Sequence, residues 1–160
     1  MILLLPAGLS VDVTLIIGMK IRDQEYSRVR QLHPEFNHQE CFLETTRLIS
    51  PVTNLDQSRN IPPHSTGAAV DIEIIDQNGD LLDMGMAIKD WCIVPTEQCM
   101  TECTSISAQS QKNRHMLCQI MQAQGFVNYP TEWWHFSFGD RYWAYLSGMS
   151  HAVYGSIVAT

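Results

Sequence analysis

The sequence has little positive charge. Lysine occurs three times in 160 residues, no basic run exceeds two residues, and the formal net charge is -7. Neutralising phosphates requires clustered Lys and Arg, so this balance argues against nucleic acid as a partner. Long apolar runs are also scarce. The opening Met1-Ile2-Leu3-Leu4-Leu5 meets Pro6 and Gly8 at once and has no basic flank. It is too short to span a bilayer and wrongly flanked for a secretory signal, so no membrane is expected as a partner and the first segment should be buried. Cysteine occurs five times (Cys41, Cys92, Cys99, Cys103, Cys118), an odd number that forbids complete internal pairing. Free thiols of a reducing compartment are the natural reading, which places the chain in the cytoplasm. An export signal removed from an earlier start would instead make it periplasmic.

Apolar residues make up 45% of the chain and charged residues 17%, a balance that excludes disorder. At this length folding buries roughly two-thirds of the unfolded surface, enough for one core without disulfides. With no internal repeat or composition break, residues 1–160 are expected to form a single domain.

Val11 to Ile17 is β-branched and bounded by Gly8 and Gly18, which predicts a buried strand. Arg22 to Leu32 and about His38 to Ile49 carry apolar positions at helical spacing. Ser50 to Thr66, rich in Pro, Asn and Ser, predicts a loop. Ala69 to Asp76 alternates with period two, Val70, Ile72 and Ile74 on one face and Asp71 and Glu73 on the other. Asn78-Gly79-Asp80 then turns the chain towards Leu81 and Leu82 as a hairpin. Pro95 to Ser105 reads as a loop. A helix follows from an N-cap near Ser107 to Gln124, stopped by Gly125, with Met116, Leu117, Ile120 and Met121 as its stripe. A last strand region begins at Phe126, is interrupted by Pro130 and resumes over Trp134 to Phe138. The fold class is α+β, a small antiparallel sheet with helices packed around it.

Two segments carry chemistry. In Pro63-His64-Ser65-Thr66-Gly67-Ala68-Ala69-Val70-Asp71, a loop-end imidazole precedes a carboxylate inside an apolar strand, with small residues between them. An unpaired carboxylate there would be costly. The second is Glu132-Trp133-Trp134-His135. Two imidazoles, one carboxylate and a water make the open tetrahedral zinc site of a hydrolase, and a carboxylate that does not ligate is needed nearby to take the water's proton. Residues three apart on a regular strand face opposite ways, so Glu132 and His135 converge only if the chain bends at Pro130 and Thr131.

His-x6-Asp and Glu-x-Trp-His in this order resemble the D-alanyl-D-alanine dipeptidases, the M15 metallopeptidase family that includes the vancomycin-resistance dipeptidases. IGMKIRD, NIPPHSTGAAVDIEIID, LDMG and GFVNYPTEWWH follow in that family's order. The resemblance implies the hedgehog/D-Ala-D-Ala metallopeptidase-like fold and one zinc ion held by His64, Asp71 and His135. It implies Glu132 as catalytic base and Arg22 as the residue that steadies the oxyanion. Metal-activated water would then attack the carbonyl of a small dipeptide. The pattern departs from the family at Met19, where an acidic residue is usual, and at Pro62, where some members have Ser. It departs also at Lys89, where an Asp thought to hold the substrate ammonium is usual. A Lys cannot pair with an ammonium, so either Asp90 substitutes or the substrate differs. Trp134 is expected on the pocket wall, with Trp133, Tyr142 and Trp143 in core or wall.

Plainer readings stand beside these. Arg22 could be a helix residue in an ordinary salt bridge. His33, His38, His115 and His151 lack partners at useful spacing and read as surface residues. Cys92, Cys99 and Cys103 fit no standard zinc spacing and read as loop thiols. Glu73 is a weak candidate for a supporting role behind the metal. Self-association into a homo-oligomer stays open. Three functions compete: a D,D-dipeptidase, a carboxypeptidase or amidase acting on peptidoglycan peptides through the same site, and a zinc-binding module without catalysis. Retention of Glu132 speaks against the last.

Overall fold

The computed structural model describes residues 2–4 and 11–156, with side chains from Lys20 onward. Four strands, β1 (Ile2–Leu4), β2 (Ala69–Ile74), β3 (Val127–Asn128) and β4 (His135–Ser137), form one antiparallel sheet in the order β1-β2-β4-β3. Around it lie five helices, α1 (Val11–Leu32), α2 (His38–Thr45), α3 (Thr96–Cys99), α4 (Ala108–Gln122) and α5 (Arg141–Leu146). The architecture is α+β, as the alternation of sequence patterns predicts.

The central pair positions everything else. Alternation in β2 sends Ile72 and Ile74 into the core, where they meet Trp133, Phe136, Leu117 and Met121. Residues directly opposite in an antiparallel pair project from the same face. The register sets Val70 against Phe136 and Asp71 against His135. The first pair packs with the core cluster; the second projects from the other face. A slip of one residue would bury Asp71 and His135 in apolar surroundings, which is how the hydrophobic pattern enforces this register. Beyond β2 the predicted hairpin is present, with Ile75 bridging Leu81 and Gly79 at φ 92 in the turn.

Helix ends follow local chemistry. Asn37 accepts from the Glu40 amide while the Glu40 carboxylate accepts from the Asn37 amide, a reciprocal cap that starts α2. Ser107 accepts from the Ser110 amide at 3.0 Å and starts α4. Gly125, at φ 83, ends it in the left-handed conformation that favours glycine. Asp140 caps α5 by accepting from the Trp143 amide at 2.8 Å.

Several expectations are corrected. Val11 to Ile17 is the first part of α1 and not a strand. Helix propensities differ by only a few tenths of a kcal/mol per β-branched residue, so the helical run that follows can carry the segment through. Helix α2 stops at Thr45 and gives way to turns before Ile49. The segments read as loops hold two short helical turns, a 3-10 turn at Pro63–Thr66 and α3. On α4 the inward face is Ser110, Asn113, Arg114, Leu117 and Met121, whereas Met116 and Ile120 are exposed. Arg114 is wholly buried. It donates to the carbonyls of Met84 (2.7 Å) and Met100 (2.5 Å) and lies 5.5 Å from the Trp133 ring centre, tying α4 to two loops. The predicted burial of Met1 to Leu5 lies outside the described side chains. No helix among the described residues is long and apolar enough to cross a membrane.

Candidate metal centre and catalytic site

His64 sits in the 3-10 turn Pro63–Thr66, whose start is favoured by Pro62 and Pro63. Gly67 closes that turn at φ 70, its amide donating to the His64 carbonyl, and redirects the chain into β2. This reversal swings the His64 ring over the strand to face Asp71. The β2–β4 register brings His135 alongside. Asp71 Oδ1 lies 3.4 Å from His64 Nε2 and 3.2 Å from His135 Nδ1. The two imidazoles stand edge to face with centres 4.7 Å apart. All three donor atoms lie within 4.8 Å of one another, the one such group among the described residues. With metal–donor bonds of about 2.0–2.2 Å, the edges of a tetrahedral centre measure roughly 3.3–3.6 Å. Two of the three donor separations, 3.4 and 3.2 Å, are at or just under that length. The group fits a metal ion with one position open towards the cavity.

The ring nitrogen of His135 that faces away from Asp71, Nε2, lies 3.5 Å from Ser137 Oγ, whose hydroxyl donates to the buried Asp140 carboxylate at 2.7 Å. A contact of this kind favours the tautomer that leaves Nδ1 free to ligate.

Glu132 reaches the site through a turn. Its amide donates to the Tyr129 carbonyl (2.9 Å), and the His135 amide donates to the Glu132 carbonyl (3.2 Å). The bend demanded at Pro130 and Thr131 is therefore present. Asn128 donates to both the Glu132 and His135 carbonyls, and the Trp133 amide donates to the Cys99 carbonyl, so the turn is held on two sides. Glu132 Oε2 stands 3.6 Å from His135 Nδ1, and the residue is only 8% exposed.

Electrostatics separates the two carboxylates. Burial alone would raise the Asp71 carboxyl, but hydrogen bonds to His135 and His64 outweigh it and hold the group well below the usual range. Glu132 goes the other way: burial, aided by the charge of Asp71, pushes it well above an ordinary glutamate. Desolvation by surrounding protein lowers His64, yet its hydrogen bond and attraction to Asp71 dominate and the net shift is upward. One carboxylate is kept ionised between two imidazoles, and the other is poised to gain and lose a proton.

These groups open onto a cavity of about 450 Å³, walled by Leu48, Ile49, Val52, Ile88, Trp91 and Trp134 among others. Trp134 and Tyr142 line it as expected, and Trp133 is core. Arg22 and Asp90 are not on the wall. Arg22 is paired with its neighbour Asp23 at 2.7 Å, the salt-bridge alternative, although Ile21 beside it does reach the cavity. On a helix, adjacent residues point about 100° apart, so one of the two must turn away. Asp90 belongs to the 3-10 turn Ile88–Asp90, where Ile88 and the following Trp91 face the cavity and Asp90 does not. Lys89 and Glu73 also lie off the wall. Of the remaining histidines, His33, His38, His115 and His151 contact Glu35, Tyr26, Glu102 and Ser150 on exposed surface. All five cysteines are free, Cys92 exposed and Cys99 and Cys103 buried. Burial pushes the Cys99 thiol up to about 12, too high for a resting thiolate ligand.

A family model described as D-ala-D-ala dipeptidase, that of the M15 peptidases, matches residues 21–152. The chain belongs to the M15 peptidase family. Within it, the chain is similar to three proteins named D-alanyl-D-alanine dipeptidase. The one from Synechocystis sp. is 40% identical over 97 residues, 56% of this chain and 39% of that protein. The one from Escherichia coli K12 is 37% identical over 73 residues, 46% of this chain and 36% of its own length. The Enterococcus faecium protein is 32% identical over 79 residues, 49% and 37% of the two chains. The matched part thus spans under two-fifths of each M15 relative.

Among the lining residues that escaped the sequence reading, one is a cation. Arg59 lies on the cavity wall. It sits in a polar stretch without periodicity, and no motif marks it.

Proposed function

We propose that the chain is a zinc-dependent D,D-dipeptidase that hydrolyses D-Ala-D-Ala or a closely related dipeptide. The observation that carries the reading is the His64–Asp71–His135 donor triangle at tetrahedral spacing, beside a buried carboxylate that belongs to none of its edges. Two imidazoles and one carboxylate are a zinc hydrolase's donor set, with the fourth position left to solvent or substrate. Zinc held there would acidify a water and polarise the substrate carbonyl. Glu132 accepts the proton of the attacking water and passes it to the leaving amine, a task suited to a carboxyl raised towards neutrality. Asp71, pinned between two imidazoles, has no part in proton transfer. Trp134, Trp91 and Ile88 give the cavity an apolar wall. The names of the relatives support the dipeptide substrate, and the five free thiols support a reducing, cytoplasmic setting.

A second reading rests on the cavity. At about 450 Å³ it is of the size that holds drug-sized ligands, more than a two-residue peptide needs, so a carboxypeptidase acting on longer peptidoglycan peptides has room in the same site. Incubating the zinc-loaded protein with D-Ala-D-Ala, its L-isomer and a muropeptide separates the readings. Cleavage of D-Ala-D-Ala alone supports the dipeptidase. Preference for the muropeptide supports the second reading, and turnover of none of them defeats both.

A further inference from the structure

The chain has seven arginines, and six are engaged by protein groups. Arg22, Arg28 and Arg47 pair with Asp23, Glu25 and Glu44. Arg30 donates to the Phe36 carbonyl. Arg114 donates to those of Met84 and Met100, and Arg141 to Asn60 and the Ile61 carbonyl. Arg59 alone has no partner for its guanidinium among the described residues. It is also the one Arg or Lys on the cavity wall, where the other charged groups are His64, Asp71, Glu132 and His135.

Its backbone is held firmly. Arg59 bridges Thr53 across a narrow hairpin. That hairpin is closed by the Asn54 amide on the Ser58 carbonyl and the Asn60 amide on the Val52 carbonyl, at 2.9 and 3.0 Å. Asp56 accepts from the Ser58 amide at the tip, and the Asn60 side chain donates to the Pro51 carbonyl at 2.6 Å. Arg141 fastens the same hairpin to α5 through the Asn60 side chain. A cation left unpaired on an anchored arm, in a cavity whose wall also includes Leu48, Ile49 and Val52, is placed to receive an anion that arrives with a ligand.

We infer that Arg59 is the specificity residue that binds the substrate's C-terminal carboxylate. This rests on the peptidase reading above. An alanyl dipeptide carries one anion, its terminal carboxylate. The cavity polarity matches it, with Asp71 and Glu132 at the metal end and the guanidinium on the hairpin. Arg59 thereby fixes which end of the peptide enters first.

The test compares D-Ala-D-Ala with its C-terminal amide on the zinc-loaded full chain, as wild type, Arg59→Ala and Arg59→Lys. A charge-assisted contact at an exposed site corresponds to about tenfold in affinity. Wild type should favour the free acid in kcat/KM by about that factor, through KM. Arg59→Ala should remove the preference by weakening the acid alone, and Arg59→Lys should keep part of it. Equilibrium binding of both compounds to the metal-free proteins, read from the fluorescence of Trp91 and Trp134, repeats the comparison without turnover. Acid-selective binding lost in Arg59→Ala, in a protein that cleaves neither compound, would sustain the carboxylate site while defeating the peptidase reading. Turnover with an unchanged acid-to-amide ratio in Arg59→Ala would overturn the carboxylate site and leave the peptidase reading intact. An equal fall in kcat on both compounds would overturn it too, assigning Arg59 to the oxyanion. No discrimination in wild type by either measurement sinks the inference.

Discussion

Replacing Glu132 by Gln keeps the shape of a buried side chain and removes its capacity to take a proton. A positioned general base contributes typically 10²–10⁴-fold to rate, about 3–5 kcal/mol of barrier. The surroundings put the expected loss at the upper end, because nothing else on the wall can take over. Asp71 is held ionised by two imidazoles, at 3.2 and 3.4 Å, and is a poor proton acceptor. Tyr129, which begins the same turn, is raised by burial and by the charge of Glu132, so it too offers no base near neutrality. Glu132 belongs to none of the edges of the donor triangle, so the variant should bind metal as wild type does. Steady-state hydrolysis of D-Ala-D-Ala, with zinc quantified in the same samples, gives the answer. Expected is a loss of roughly 10⁴ in kcat with full metal content. A metal-replete Glu132→Gln protein within tenfold of the wild-type rate would refute the assignment of the base.

Three further outcomes are expected. In metal-free protein, Asp71 has a depressed pKa, so its contribution is present above the ordinary value of 3.8 and is lost as pH falls below it. Glu132 and His64 are raised, so theirs are present at low pH and lost as pH rises through their folded values. The thermal midpoint of the metal-free protein should therefore decline on the alkaline side, less so in Glu132→Gln, and added zinc should stabilise more as pH rises. A midpoint climbing steadily to alkaline pH would contradict this. Arg114→Ala strips the Met84 and Met100 carbonyls of their donor and opens a cavity, and should cost about 3–5 kcal/mol in denaturant unfolding. Asp71→Asn removes the anion between His64 and His135 and should weaken zinc binding at least tenfold by titration against a chelator.

Short-range chemistry made much of this molecule readable. Alternation over Ala69 to Asp76 located β2 and set Asp71 on the face opposite Ile72 and Ile74. Ser107 and Gly125 marked both ends of α4. The two motifs, with the resemblance they carry and the bend needed before His135, named the four side chains that lie together. What escaped depends on contacts distant in sequence. Val11 to Ile17 has a strand's composition, yet it continues the helix that follows. Arg114 reads as a surface cation, since only the folded chain supplies the Met84 and Met100 carbonyls and the Trp133 face. The inner stripe of α4 was misplaced for the same reason, being partly polar. The resemblance marked Arg22, and nothing in the sequence marked Arg59. Helical geometry turns one away with Asp23, and a hairpin closed by backbone hydrogen bonds delivers the other. The cap of α5 was within reach, since Asp140 precedes Arg141-Tyr142-Trp143 as an N-cap residue should.

The account rests on three side chains holding one metal ion, and metal stoichiometry tests that most directly. Zinc titrated into metal-stripped protein should bind at one ion per chain, and His135→Ala should abolish that binding while remaining folded by circular dichroism. A folded wild-type chain that takes up no zinc, or a His135→Ala variant that binds it equally well, would contradict the account.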